Sequence, residues 1–138
     1  MARFLLDTNH ASPLVALNHP LRALIVERMV QGDQFFITPN HLTEILAGLL
    51  ILPRAKENLE QWQRLESEIG SLGFTNEDAR DAAQLQVALR KRGRQLATID
   101  AQIATVAIRE DVTLLTTDGD FKQVELLRVE NWLTALRW

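Results

Sequence analysis

The sequence of 138 residues contains no cysteine. This absence excludes disulfide bonds, zinc sites built from thiolates and a cysteine nucleophile. Its histidines, His10, His19 and His41, are scattered and do not have the spacing of zinc ligands. A metal ion, if one is used, is therefore expected to be a hard cation bound through oxygen, which means Mg²⁺ with Mn²⁺ as its substitute.

Long apolar segments are also missing. No apolar run approaches the roughly 20 residues that a membrane-spanning helix needs. The segment Met1–Asp7 is too short, and is charged too early, to be a signal peptide. There is no internal repeat and no linker rich in Gly, Pro or Ser, while 46% of the residues are hydrophobic. We therefore expect one domain over residues 1–138, in the cytoplasm and without membrane contact.

An excess of basic residues is absent as well, since the formal net charge is −3. Proteins that act on nucleic acids normally carry a basic surface, so this value at first argues against such a substrate. Two bound divalent cations would add four positive charges and bring the total to about +1. The composition permits a nucleic-acid substrate without arguing for one.

What the sequence does contain is a set of short apolar runs that each end in an acidic residue. The runs lead to Asp7, to Glu44, to Asp100 and to Asp118-Gly119-Asp120. A carboxylate beside a core costs free energy unless a cation accompanies it, and these runs lack an equal number of basic residues. The pattern indicates a metal site, and phosphodiester hydrolysis is the chemistry that most often requires one. Singly, each acid also has an ordinary explanation as a helix cap, an exposed helical side chain or an acidic turn.

Strand and helix patterns alternate along the chain. Buried strands are predicted at 3–7, 34–38 and 113–116, with shorter ones near 72–74 and 127–129. Helical patterns lie between them. Thr38 followed by Pro39 predicts one helix start, and Thr75 with Asp78 at the third position predicts another. The helix after Thr75 carries Ala79, Ala82, Leu85 and Leu89 inward and stops at Gly93, and a further helix covers 98–110. This order predicts an α/β fold around a mostly parallel sheet, with ligands bound beyond the carboxyl ends of its strands. Asp7 and Asp118 fall at that edge, and Glu44 and Asp100 lie in early helical turns that can face it.

One predicted helix, residues 42–52, is more apolar than a single buried face requires. Its large aliphatic residues are Leu42, Ile45, Leu46, Leu49, Leu50, Ile51 and Leu52. Two interpretations remain open. The helix is either covered on all sides, or it contacts a second copy of the chain or another protein, together with the neighbouring helix that carries Trp62.

The one dense basic cluster has two interpretations that are compatible with each other. Arg90, Lys91, Arg92 and Arg94 surround the predicted helix end at Gly93. Cations at a helix C-terminus interact favourably with the helix dipole, which accounts for the cluster without a ligand. The same residues, lying just before the Asp100 segment, are also candidates for contacts with RNA phosphates.

Taken in order, these motifs resemble the PIN-domain family, especially the toxin ribonucleases of bacterial VapBC-type toxin–antitoxin pairs. The segment 5–9 is similar to the family's opening motif, 42–48 to its glutamate helix and 93–104 to the segment with its central aspartate. The segment 114–121 resembles its last acidic motif, and 129–132 its closing strand and turn. The match departs from the family at His10, where an aliphatic residue is usual, and in the short loop at Asp118.

The resemblance implies a three-layer α/β/α sandwich and a Mg²⁺-dependent endoribonuclease, often a homodimer and inhibited by a cognate antitoxin. By position, Asp7, Glu44, Asp100 and Asp118 would be the catalytic and metal-binding acids, with Asp120 as an accessory. Thr8, Asn9 and Thr116 would orient carboxylates or water.

Two other functions remain open at this level. A phosphatase of the haloacid-dehalogenase type also places an aspartate after its first strand. It needs a second aspartate two residues later, where this chain has Asn9, and a lysine further on. The other alternative is a PIN-like protein without catalytic activity that binds partners through residues 42–52.

Overall fold

Five short strands lie in the part of the chain that the computed structural model describes, residues 1–134. They are β1 (Arg3–Leu6), β2 (Gln34–Ile37), β3 (Gly70–Ser71), β4 (Thr113–Leu115) and β5 (Val129–Glu130). They form one sheet in the order β3-β2-β1-β4-β5, and every neighbouring pair is parallel. The prediction of a mostly parallel sheet is therefore confirmed.

Six α-helices within residues 1–134 connect and cover the strands. They are α1 (Thr8–Ala11), α2 (Pro20–Val30), α3 (Pro39–Ile51), α4 (Ala55–Glu66), α5 (Asn76–Lys91) and α6 (Thr98–Glu110). Short 3₁₀ helices follow at Ser12–Val15, after α1, and at Gly119–Gln123, after β4. None of the helices described in residues 1–134 is long and apolar enough to cross a membrane.

The sheet separates two hydrophobic cores because successive side chains of a strand point to opposite faces. Phe4 and Leu6 of β1 pack with α1 to α4 on one face, whereas Leu5 packs with α5 and α6 on the other. The chain is thus an α/β/α sandwich, as predicted. Because all strands run in the same direction, the residues that follow them collect at one edge of the sheet.

Two helix starts lie where the sequence predicts them. The Thr38 side chain accepts a hydrogen bond from the backbone N–H of His41 at 3.3 Å, and Pro39 begins α3. Thr75 and Asp78 form a reciprocal capping box at the start of α5. These caps satisfy backbone N–H groups that a helix leaves without partners, so the local sequence decides where each helix begins.

Several predicted positions are wrong in detail. The strand expected near 72–74 lies earlier, at β3, and the one expected near 127–129 lies at β5. Ala79 is exposed, although the helical pattern placed it inward. Short strands and small residues carry a weak periodic signal, so pairing with neighbours decides their register.

The apolar α3 helix divides into a buried part and an exposed end. Ile45 and Leu49 belong to the core, and Leu42 and Leu46 pack against it. Leu50, Ile51 and Leu52 are 53%, 84% and 50% exposed, respectively. Trp62 itself, in the neighbouring helix α4, is fully buried. Within α3, the exposed part of the candidate surface is the end of the helix, residues 50–52.

The segment after β5 closes one face of the sheet. The Trp132 ring lies edge-on to Phe4 and Phe35, with centroids 4.8 and 5.8 Å away. The Arg28 guanidinium lies 4.9 Å from the centroid of the same indole. These contacts bring the backbone at Trp132 beside α1, where it contacts His10.

Candidate active site

Asp7 follows β1 directly, and its carboxylate is held from several sides. Its Oδ1 accepts a hydrogen bond from the backbone N–H of Thr8 at 2.9 Å, so the residue also caps α1. Its Oδ2 accepts the Thr116 hydroxyl at 2.7 Å and the Asn9 amide at 3.2 Å. Only 6% of the residue is exposed. The carboxylate at this strand end is therefore fixed in one orientation.

Burial alone would raise the pKa of Asp7, but the surrounding groups more than compensate. Contacts with His41, the Thr116 hydroxyl and the Thr8 N–H lower the pKa of that carboxyl below its usual value. The Asp7 side chain is thus an anion at neutral pH. A buried anion of this kind favours a cation beside it.

Thr116 and Asn9 connect the two central strands of the sheet. Thr116 follows β4, and its hydroxyl accepts hydrogen bonds from the Asn9 amide at 3.2 Å and from the backbone N–H of Asp118 at 3.0 Å. The side-chain oxygen of Asn9 accepts a hydrogen bond from the backbone N–H of Thr117 at 3.1 Å. Asn9 and Thr116 both contact the Asp7 carboxylate through their side chains. Thr8 differs, because its backbone and not its hydroxyl contacts the carboxylate; that hydroxyl has no partner among residues 1–134.

His10 extends this network to the closing segment of the chain. Its Nε2 accepts a hydrogen bond from the backbone N–H of Trp132 at 3.1 Å, and its Nδ1 lies 2.7 Å from the Asn9 side-chain oxygen. Because Nε2 accepts, Nδ1 must carry the proton and donate. Burial lowers the pKa of the imidazole to about 4 against the opposing effect of Asp7, so the ring is neutral at pH 7. His10 therefore orients Asn9, whose amide then points to Asp7.

His41 is a site residue that the sequence analysis missed. It lies in the first turn of α3 with 1% of its surface exposed, and its Nε2 is 3.0 Å from Oδ1 of Asp7. The ring is close enough for electrostatic stabilisation but is not aligned for a hydrogen bond, and neither ring nitrogen has a hydrogen-bond partner within residues 1–134. The Thr38-Pro39 helix start was the available signal, since it places His41 beside the end of β2.

The other acids meet Asp7 at the same edge of the sheet. Asp100 lies in the first turn of α6, Glu44 in α3, and Asp118 caps the 3₁₀ helix after β4. Burial, followed by the charges of Asp7, Asp118 and Glu44, raises the pKa of Asp100 to about 6. An Asn40–Gln102 hydrogen bond of 2.6 Å links α3 to α6 and holds Glu44 and Asp100 on facing helices. The charges of three carboxylates from distant segments thus act on Asp100 at this edge of the sheet.

This donor set fits a hard divalent cation in its chemistry. It consists of carboxylate oxygens, and a cation would neutralise the neighbouring charges that, after burial, raise the pKa of Asp100. Within residues 1–134, however, no three His, Cys, Asp or Glu side chains stand in an arrangement that could hold an ion. Binding would have to draw the side chains of Glu44, Asp100 and Asp118 towards Asp7.

The remaining predicted residues lie around this crevice. Asp120 is exposed, and its backbone N–H donates to Asp118 Oδ1 at 2.9 Å. In the basic cluster, Arg92 pairs with Glu125 at 3.3 Å, whereas Arg90 and Arg94 line a cleft that Asp120 also borders. Lys91 is exposed at the end of α5, where Gly93 leaves the helix with a φ of 73°.

We expect Asp100→Asn to change how stability depends on pH. Folding lowers the pKa of His10 from 6.5 to about 4, so acidification between these values destabilises the protein. Folding raises the pKa of Asp100 from 3.8 to about 6, so acidification in that range stabilises it. The two effects partly cancel in the wild type. The variant keeps the His10 effect without this compensation, and the His10 effect alone should remove up to roughly 3 kcal/mol of unfolding free energy on acidification.

Urea unfolding in EDTA across this pH range measures the difference. His10→Gln is the matched control, because it removes the His10 effect and keeps the Asp100 effect, so acidification should destabilise it less than the wild type. If the unfolding free energies of the wild type and of Asp100→Asn depend on pH in the same way, the raised pKa does not belong to Asp100.

Comparison with known proteins adds a family and a set of related folds. The sequence profile of the PIN domain matches residues 4–127. No curated protein sequence matches the chain. The structure is similar to VapBC2 from Rickettsia felis bound to a promoter DNA fragment, with a TM-score of 0.81 and 22% identity over 94% of this chain and 98% of that one. For DNA-bound VapBC from Salmonella typhimurium the TM-score is 0.80 and the sequence identity 22%, over 96% of this chain and 99% of that one.

A more distant likeness is to VapC20 from Mycobacterium tuberculosis, which is described as a toxin that cleaves the sarcin-ricin loop. Its TM-score is 0.64 at 15% identity, over 87% of this chain and 93% of that one. At these identities the structural likeness establishes the fold alone.

Proposed function

The chain belongs to the PIN domain family, and from this premise we propose that it is a Mg²⁺-dependent endoribonuclease, the toxin of a toxin–antitoxin pair. The observation that carries the proposal is the convergence of Asp7, Glu44, Asp100 and Asp118 at one sheet edge, where burial, together with the charges of the other three acids, raises the pKa of Asp100 to about 6. The likeness to VapBC complexes and to an RNA-cleaving VapC toxin supports both the RNA substrate and the partner. Such a reaction would take place in the cytoplasm.

Each acid has a part in this proposal. Asp7 is the fixed ligand, because Thr116 and Asn9 hold its carboxylate. Asp100 would become fully ionised and join Asp7 in holding Mg²⁺ or Mn²⁺, and Glu44 and Asp118 would complete the site directly or through water. When bound, the cation lowers the pKa of an attacking water and stabilises negative charge on the phosphate. Asp120 would act as an accessory at the rim.

Attack by water on phosphorus predicts products with a 5′-phosphate and a 3′-hydroxyl. A mechanism through the RNA 2′-hydroxyl would instead need histidines that reach the substrate as general acid and base. His10 and His41 both lie near Asp7 but are 0% and 1% exposed, respectively. Because neither imidazole is exposed to a substrate, the water mechanism is favoured.

Cleavage assays in Mg²⁺ test this function. We expect cut products from single-stranded or structured RNA, loss of cutting in EDTA, and no hydrolysis of a phosphomonoester. End-group analysis should find the 5′-phosphate. Hydrolysis of the phosphomonoester alone would favour a haloacid-dehalogenase-type phosphatase, and inactivity on every substrate would favour a PIN-like binding protein.

We further propose that the end of α3 contacts the antitoxin or a second copy of the chain. Leu50, Ile51 and Leu52 are adjacent and at least half exposed, although water contact is unfavourable for aliphatic side chains. We expect Leu50→Glu with Ile51→Glu to weaken self-association, or binding of the small protein encoded beside this one, by at least about tenfold. Light scattering and titration calorimetry measure the two effects.

Val30→Glu with Leu126→Glu is a matched control, because these side chains are also exposed, at 84% and 80%, but lie elsewhere. Leu49 is not a suitable position, since it is a core residue whose charged variant would unfold the protein. If the wild type is a monomer and the partner protein binds both double variants equally well, the end of α3 is not part of an interface.

A further inference from the structure

A cleft of about 590 Å³ opens beside the acidic crevice, between the C-terminal half of α5 and the segment that leads into α6. Arg90 and Arg94 line it together with Gln86, Gln95, an apolar wall and Asp120. Ala97, in that wall, directly precedes α6, whose first turn carries Asp100. The cleft and the candidate metal site therefore share a border. Its volume falls within the range of sites that hold small ligands.

The walls of the cleft are fixed by hydrogen bonds. The Gln86 side chain donates to the backbone oxygen of Leu96 at 2.9 Å and to the Thr98 hydroxyl at 3.2 Å. The Gln123 side chain donates to the backbone oxygen of Gln95 at 3.4 Å. The loop at 94–97 is thus tied to α5 on one side and to the 3₁₀ helix on the other, which gives the cleft a defined shape.

The two arginines of the cleft carry guanidinium groups that are not engaged by the protein within residues 1–134. Five other arginines of the described chain, Arg3, Arg28, Arg92, Arg109 and Arg128, form ion pairs with carboxylates. Within residues 1–134, the guanidinium groups of Arg90 and Arg94 have neither an ion-pair partner nor a hydrogen-bond partner; the same holds for Arg54, Arg64 and Arg80, which do not line the cleft. A free guanidinium presents a fork of donors that fits a phosphate, and two of them face one cleft.

We propose that this cleft is a subsite for the RNA nucleotide next to the scissile phosphate. Arg90 and Arg94 bind its neighbouring phosphate, while the base lies against the apolar wall of Val87, Leu96 and Ala97. The side-chain oxygen of Gln86, whose side-chain nitrogen is already hydrogen-bonded, and the side-chain amide of Gln95 present hydrogen-bonding groups to the edge of that base. This inference rests on the proposed ribonuclease function, and it assigns to the cleft a part in choosing the cleavage sequence.

Substitutions that each remove one charge from the same short segment distinguish binding in this subsite from general electrostatic attraction of RNA. Arg90→Gln and Arg94→Gln should each weaken binding of a short single-stranded RNA by about tenfold in EDTA, where a metal-dependent enzyme does not cut. Each should also reduce the slope of log affinity against log salt by about 0.7. Lys91→Gln and Arg92→Gln are matched controls, because they remove the same charge from the same segment but do not line the cleft.

A second measurement does not depend on cleavage. Adenosine 3′,5′-bisphosphate should shift the NMR signals of the Gln86 and Gln95 side-chain amides and leave those of Gln31, on the far side of the fold, unchanged. If RNA is cut normally but all four variants behave alike and the bisphosphate shifts neither glutamine, the subsite is wrong and the ribonuclease function stands. If the bisphosphate binds in the cleft but no RNA is cut, the function is wrong and the nucleotide site stands.

Discussion

Asp100→Asn is expected to lower kcat/KM for RNA by two to three orders of magnitude, roughly the effect of removing one charged group from a reaction centre. The amide cannot replace an anionic oxygen in holding a divalent cation, although its shape is the same. The metal-free variant should nevertheless be more stable than the wild type at pH 7. Burial and three neighbouring carboxylates raise the pKa of Asp100 to about 6, so its charge is unfavourable there. After a discount for partial exposure, we expect a gain of roughly 1–2 kcal/mol.

Opposite effects on activity and stability distinguish a reaction-centre residue from a structural one, whose loss lowers both. Asp81→Asn provides the control, because the same chemical change then occurs at an exposed position of α5. It should alter neither quantity. Activity retained in Asp100→Asn at saturating Mg²⁺ would remove Asp100 from the catalytic residues.

The second large effect is a thermal stabilisation by metal. An ion that binds the folded carboxylates and not the unfolded chain adds about 2.7 kcal/mol at a concentration of one hundred times its Kd. For a domain of this size that corresponds to a rise in Tm of roughly 10 °C. We expect Mn²⁺ and Mg²⁺ to give this rise in the wild type and Asp7→Asn to remove most of it. Differential scanning calorimetry measures both.

The choice of Asp7→Asn follows from the contacts of that residue. Alanine would also remove the cap of α1 and leave Thr116 and Asn9 without their acceptor, so its effect on Tm would not isolate the metal. NaCl at equal ionic strength is the control for screening. The metal hypothesis fails if neither ion raises Tm above the NaCl value and crystals soaked in Mn²⁺ contain no bound ion.

The acids could be found from the sequence because each ends a short apolar run, and the runs alternate with helices. Parallel strands all end at the same edge, so Asp7 and Asp118 had to lie together once the sheet was predicted. Glu44 and Asp100 required one further step, the prediction that early helical turns face that edge. The charge effects on Asp100 are consistent with this placement.

His10 and His41 could not be recognised as site residues in this way. Their burial depends on partners far along the chain. His10 contacts Trp132, which lies 122 residues later, and His41, after β2, contacts Asp7, which follows the neighbouring strand β1. A lone histidine carries no periodic signal, and its protonation state depends on what surrounds it. The same reason separates Arg92, which pairs with Glu125, from Arg90 and Arg94, which face the cleft.

The order of strands and helices, the caps at Thr38 and Thr75 and the set of acids were determined by the sequence alone, because they depend on residue types at short spacing. Only the tertiary structure decided which apolar residues of α3 are core and which remain exposed at 50–52. It alone also decided which arginines of the basic cluster have no ion-pair partner in the described chain and which histidines contact Asp7 and Asn9. These outcomes depend on burial and on contacts between residues far apart in the chain, and local patterns do not contain that information.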